Sequence, residues 1–225
     1  MKSRESRDSG QGSVAFFDYV IALCEDDVRT NPADIDSRAD LAMYYGHAGR
    51  PSDAVREFTR CLQQDPHHGG ALMNLGFFLC VQGNPREGTK YLERAVQSQA
   101  DTLEQMYSYC FLGAAYHMSG DLSRAIACWE ILLDPLLEPL MGFATHVSLG
   151  IAYLQNRWVD RAIRELEIAR SLAEDGTSVA HRFPGWALDM GRSKLATWPN
   201  SDGAQEMLDA LIPLAWGICR PEDYL

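Results

Sequence analysis

Six histidines and six cysteines are the side chains of widest chemical reach in this 225-residue chain, as metal ligands, bases or nucleophiles. His67 and His68, after Asp65-Pro66, are the only adjacent histidines. A metal centre needs further ligands at a set spacing. No cysteine here forms a CxxC, and none stands at a metal-ligand spacing from a histidine. The pair falls in a polar stretch between apolar segments, where a solvated loop accounts for it. His47 and His117 close apolar segments, and a lone histidine there suits hydrogen bonding better than base catalysis. The chain has no glycine-rich phosphate loop, HExxH or GxSxG. An enzyme or enzyme subunit would have to draw on His181, Trp186 and Trp198 near the C-terminus. No catalytic residue, metal site or cofactor is therefore expected.

The remaining capacity of the chain is to fold and to bind. At 46% hydrophobic and 23% charged it has the balance of a soluble folded protein. The net charge of −11 disfavours nucleic acid, whose phosphates call for a surplus of Lys and Arg, and anionic membrane surfaces for the same reason. No apolar run approaches the ~20 residues that span a bilayer. Val14 to Cys24 is not read as a signal core, because Asp18 interrupts it and Leu23 is not the small residue that processing prefers. A cytoplasmic protein is expected. Cys61, Cys80, Cys110 and Cys128 lie within apolar helical patterns, as small buried residues of a reducing compartment.

Periodicity shows how those side chains are positioned. Residues 1–13 are polar and Gly/Ser-rich, and are expected to be a disordered tail. Residues 14–32 carry Phe16, Phe17, Val20, Ile21, Leu23, Cys24 and Val28 at the spacing of an amphipathic helix, stopped by Asn31-Pro32. From Asp34 a pattern recurs. Leu41-Ala42-x-x-Tyr45 is followed by Gly49, Ala54, Phe58 and Cys61; Leu75-Gly76-x-x-Leu79 by Gly83, Gly88, Leu92 and Ala95. Leu112-Gly113-x-x-Tyr116 is followed by Gly120, Ala125, Trp129 and Leu132; Leu149-Gly150-x-x-Tyr153 by Ala162, Leu166 and Ala169. The leucines lie 34, 37 and 37 residues apart, and the small residues 54, 88, 125 and 162 keep the same intervals. Each unit reads as two helices joined by a tight turn, with Pro51 and Pro85 opening second helices, where a missing N–H costs nothing. Arg157 replaces the turn glycine in the fourth unit.

Residues 34–174 resemble the tetratricopeptide repeat, a helix-turn-helix unit of 34 residues. The resemblance implies an all-α, right-handed α-α superhelix of four units. Residues 14–32 would cap its start or lie in a groove. Residues 176–225, with the apolar segment Met207 to Ile218, would cap its end or bind a partner.

The resemblance also implies a concave surface lined by the first helices, with the residues flanking each repeating Leu pointing into it. Those residues include Met43, Met73, Asn74, Phe77, Tyr107, Phe111 and Ile151, which are the candidate partner-binding residues. One branch of the family grips chaperone C-terminal carboxylates with Lys, Asn and Arg. The corresponding residues here are Ala39, Met43, Asn74, Tyr107 and Phe111, and Asn74 alone matches. A cationic clamp is not expected. An apolar groove containing methionine instead suits an amphipathic helix or an extended apolar segment. The first expectation is a noncatalytic adaptor or chaperone-like protein that holds an apolar protein segment. The second is a self-assembling, homo-oligomeric scaffold that uses the last helix.

Overall fold

The computed structural model describes residues 8–98, 102–133 and 138–174. Among them are nine helices and no strand. They are α1 (Asp8–Thr30), α2 (Ile35–His47), α3 (Pro51–Gln64), α4 (Gly69–Val81), α5 (Pro85–Ser98), α6 (Thr102–Met118), α7 (Leu122–Glu130), α8 (Glu138–Gln155) and α9 (Val159–Glu174). The expected elements beyond Glu174, including Met207 to Ile218, lie outside the described residues, as do His181, Trp186 and Trp198. The chain divides into two compact units, Met1–Phe111 and Leu112–Leu225, with the boundary inside α6.

Unit 1 is built on α2/α3 and α4/α5, with α1 before them. Helix α1 begins at Asp8 rather than Val14. A helix already nucleated by its packed C-terminal half extends through Ser and Gly at a cost of only ~1 kcal/mol per glycine. Asp34 caps α2 by accepting from the backbone N–H of Asp36 and Ser37 at 3.1 and 3.2 Å. The core joins Ile21 of α1 to Leu41, Ala42 and Tyr45 of α2, Ala54, Phe58 and Cys61 of α3, and Ala71, Leu75, Phe78 and Leu79 of α4. All of these except Ile21, Ala71 and Phe78 are the repeating positions of the sequence pattern. Tyr45 Oη donates to Glu25 of α1 at 2.5 Å. In unit 2, Tyr153 Oη donates to Glu130 of α7 at 2.9 Å. The match places α1 where a second helix precedes a first helix. Its other face stays open, with Phe16, Tyr19 and Leu23 at 51%, 65% and 48% exposure.

The turns inside the four helix pairs α2/α3, α4/α5, α6/α7 and α8/α9 close in one way. The backbone N–H groups of Arg50, Asn84, Asp121 and Trp158 donate to the carbonyls of Tyr45, Leu79, Tyr116 and Tyr153, five residues back, at 2.8 to 2.9 Å. This bond demands a left-handed residue just before the donor. Gly49, Gly83 and Gly120 supply it at φ of 72°, 83° and 83°, and Arg157 adopts it at 60°. An L side chain there costs ~1–2 kcal/mol, and glycine returns part of that through its freer unfolded chain. Exposed Arg157→Gly should therefore stabilise unit 2 by about 0.5–1 kcal/mol in urea unfolding. Unchanged or lower stability would mean that the arginine side chain offsets the strain.

Unit 2 contains the rest of α6 with α7, α8 and α9. A Cβ at Gly113 would collide with the indole of Trp129, and one at Gly150 would lie 2.6 Å from Leu166 Cγ. The Leu-Gly step thus lets each second helix seat its large residue against the first-helix backbone. The extra residues before the third and fourth units lengthen the first helices, α6 to 17 and α8 to 18 residues against 13 in α2 and α4.

Candidate functional site

In unit 1, α2 and α4 run parallel. His68 at the start of α4 meets Asp36 at the start of α2, with Nε2 3.2 Å from Oδ1. At the other ends, Phe78 of α4 packs over Gly46 of α2. A residue on the outer stripe of one helix therefore has a neighbour on the next. Met43, Met73, Asn74, Phe77, Tyr107 and Phe111 are all half-buried here. Phe77 of α4 and Phe111 of α6 meet with ring centroids 4.8 Å apart, within the range of a favourable aromatic pair. Phe78 lies edge-on to Phe77 at 5.2 Å and stacks on Phe58 of the core at 6.0 Å, which anchors the ledge from below. Val81, one turn beyond Phe77, adds an apolar surface 49% exposed that the sequence reading did not select.

Two of the candidate residues differ from the rest. Asn74 Nδ2 donates to the Gly70 carbonyl of its own helix at 2.9 Å, so one of its amide protons is already engaged. Ile151 belongs to unit 2 and is 2% exposed. Around it every residue from Thr145 to Leu154 is buried. Ile151 therefore offers no exposed surface to a ligand in this structure.

The residues of chemical reach serve the fold. His68 Nδ1 accepts from the N–H of Ala71 at 3.0 Å and caps α4. His67 is exposed in the same loop. His117 is 2% exposed, with its ring 5.8 Å from that of Trp129. His146 pairs with Glu165 at 2.6 Å and joins α8 to α9. No group of three or more metal-ligating side chains occurs among the described residues. Burial pushes the thiols of Cys80 and Cys110 up to about 12 and that of Cys61 up to about 11, which keeps them protonated and weakly nucleophilic. No helix among the described residues is long and apolar enough to cross a membrane.

The residues flanking each repeating Leu include Asp40, which stands at an acidic end of the apolar stripe. Asp36, Asp40 and Met43 stand at i, i+4 and i+7 on α2, and so share one stripe. Asp36 and Asp40 are exposed. Burial pushes the Asp40 carboxyl above its ordinary value, and Asp36 and Asp34 add to the shift by repulsion.

Comparison with known proteins agrees with this architecture. Residues 47–108 match the tetratricopeptide repeat family. No curated protein matches the chain. Among solved structures, the chain is similar to PilW, described as a widely conserved type IV pilus biogenesis factor. The TM-score is 0.67 at 17% identity, over 92% of this chain and 90% of that one. It is similar to MamA from Desulfovibrio magneticus RS-1, with TM-score 0.62 at 20% identity over 76% of this chain and 91% of that one. It is also similar to YrrB, described as a TPR protein with an unusual peptide-binding site, with TM-score 0.57 at 16% identity over 87% and 91% of the two chains. Such identities speak to the fold, an all-α tetratricopeptide-repeat solenoid. The family match runs from the end of α2 through α3, α4 and α5 into α6, and the same helix pair, turn and close-contact glycine recur beyond it. Residues 47–108 are tetratricopeptide-repeat sequence, and the chain has the all-α fold of the tetratricopeptide-repeat solenoids it is compared with.

Proposed function

We propose that this protein is a noncatalytic adaptor that holds an apolar segment of a partner protein across the first helices of unit 1. The observation that carries the reading is the Phe77–Phe111 pair, half-exposed on adjacent first helices, with Met43, Met73 and Tyr107 beside it. Aromatic rings supply a large contact area at little entropic cost, and the two methionines adapt to varied side chains. A soluble chain gains nothing by leaving such a ledge in water. The unreactive thiols and fold-engaged histidines support a binding role over catalysis, and a reducing, cytoplasmic setting suits the buried cysteines. The peptide-binding site of YrrB is consistent with a segment-holding role here.

The double substitution Phe77→Glu/Phe111→Glu places two carboxylates in the ledge. It should lower partner capture at least ~100-fold, the loss expected for a central aromatic hot spot. Both rings are half-exposed, so the helical circular dichroism should remain. Quantitative crosslinking pull-down from native cells, read by mass spectrometry against wild type, tests it. Retention of the same partners at the same yield rejects the groove.

A further inference from the structure

The groove-lining helices of unit 1 carry few charges, and their signs differ in a telling way. On α2, α4 and the Thr102–Phe111 part of α6 the charged side chains are Asp36, Arg38, Asp40 and Glu104. Arg38 is 8% exposed and turned into the core, where it donates to Glu57 and to the Pro32 carbonyl, each at 3.1 Å. The three acids are exposed. Asp36 and Asp40 share a stripe with Met43; Glu104 shares one with Tyr107 and Phe111, at i, i+3 and i+7. On both helices the acid stands N-terminal to the apolar residues.

Acids in a first turn are ordinary complements of the helix dipole, which accounts for Asp36 and Glu104. It does not account for Asp40, in the second turn. Partial burial raises its pKa, and repulsion from Asp36 and Asp34 raises it further. The neighbouring groups are Asp27, which with Asp40 raises the Cys24 thiol, and His68, which touches Asp36. Arg29, the cation of α1 (Asp8–Thr30), pairs with Asp26 of its own helix. The apolar ledge therefore ends in an acidic rim that a ligand cation would relieve.

We infer that the groove takes an apolar segment flanked by Lys or Arg, with its hydrophobic side chains on Met43, Phe77 and Phe111 and its basic end against Asp36 and Asp40. This rests on the groove reading of unit 1 and adds the chemistry of the partner. It is the opposite polarity to a clamp that holds a carboxylate terminus.

The test uses the full chain and two synthetic amphipathic helical peptides. They share one Leu/Met face and differ only in flanking residues, Lys in one and Glu in the other. Fluorescence anisotropy at about 50 mM and 500 mM salt reads their affinities. The Lys-flanked peptide should bind about tenfold more tightly at low salt, with the difference shrinking at high salt. Asp36→Asn/Asp40→Asn should remove most of that difference and leave the Glu-flanked affinity equal or higher. A Lys preference that persists in this variant would come from the overall −11 charge and would overturn the assignment. Equal affinities, abolished by Phe77→Glu/Phe111→Glu, would overturn the basic-partner inference and leave the groove standing. Binding of neither peptide, or binding untouched by the Phe77/Phe111 change, would overturn both.

Discussion

Replacing Gly88 with alanine will destabilise unit 1 by about 2 kcal/mol, although the repeat pattern alone points the other way. The equivalent positions of the other three units are Ala54, Ala125 and Ala162. Alanine in a helix interior is favoured over glycine by ~1 kcal/mol, so restoring the repeat residue would be expected to help. In the structure a Cβ at Gly88 would lie 2.5 Å from Cys80 Sγ and 2.5 Å from the Gly76 carbonyl oxygen. The sulfur is held in the core and the carbonyl belongs to the α4 backbone, so α4 and α5 must separate. Overpacking of this kind costs up to ~3 kcal/mol, which outweighs the propensity gain. Thermal unfolding followed by circular dichroism should show a midpoint lower by roughly 4–8 °C. Cys80→Ala added to Gly88→Ala should recover only part of the loss, since the Gly76 carbonyl remains. A single variant as stable as wild type would show that the helices do not approach so closely.

Glu57→Ala should cost still more, about 3–4 kcal/mol, by leaving the Arg38 guanidinium buried without its carboxylate. Glu57 is 3% exposed and Arg38 8% exposed, with Nη1 3.1 Å from Oε2. The Pro32 carbonyl still accepts from Nη2, but Arg38 Nε already has no partner, so the charge would be poorly satisfied. Arg56 and Arg60 also reach Glu57 from the exposed side, at 3.1 and 2.8 Å, and would lose their contacts at little cost. Exchanging the whole pair, Arg38→Met with Glu57→Leu, should restore most of the stability because no buried charge remains. Urea unfolding of the two singles and the double closes the cycle. If Glu57→Ala alone costs under 1 kcal/mol, water reaches Arg38 and the pair is not truly buried.

The structural part of the repeat was readable because each position obeys a local rule. A left-handed residue must precede the closing bond of every turn, which marks Gly49, Gly83 and Gly120 and makes Arg157 conspicuous. The Leu-small step, the returning small residue and the large residue after it recur together, because a large side chain seats closely against a neighbouring helix where the facing residue is small. The opening prolines of α3 and α5 follow from the orphan N–H groups of a first turn.

The candidate site was less readable, because exposure depends on what lies across from a side chain. Phe77 and Phe111 are 34 residues apart in the chain, and their contact depends on how α6 seats beside α4. Ile151 occupies the same kind of repeat position as Phe77, yet it is 2% exposed in unit 2. The acidic rim was legible in the spacing of Asp36, Asp40 and Met43. Its electrical character was not, since that depends on Arg38 turning inward to Glu57 while Asp36 and Asp34 repel Asp40. By itself the sequence determined the helix pairs, their turns and the close-contact positions, all of which are short-range consequences of backbone geometry. The tertiary structure alone decided which apolar side chains reach water and which charges stay unopposed, because burial and electrostatics depend on neighbours distant in the chain.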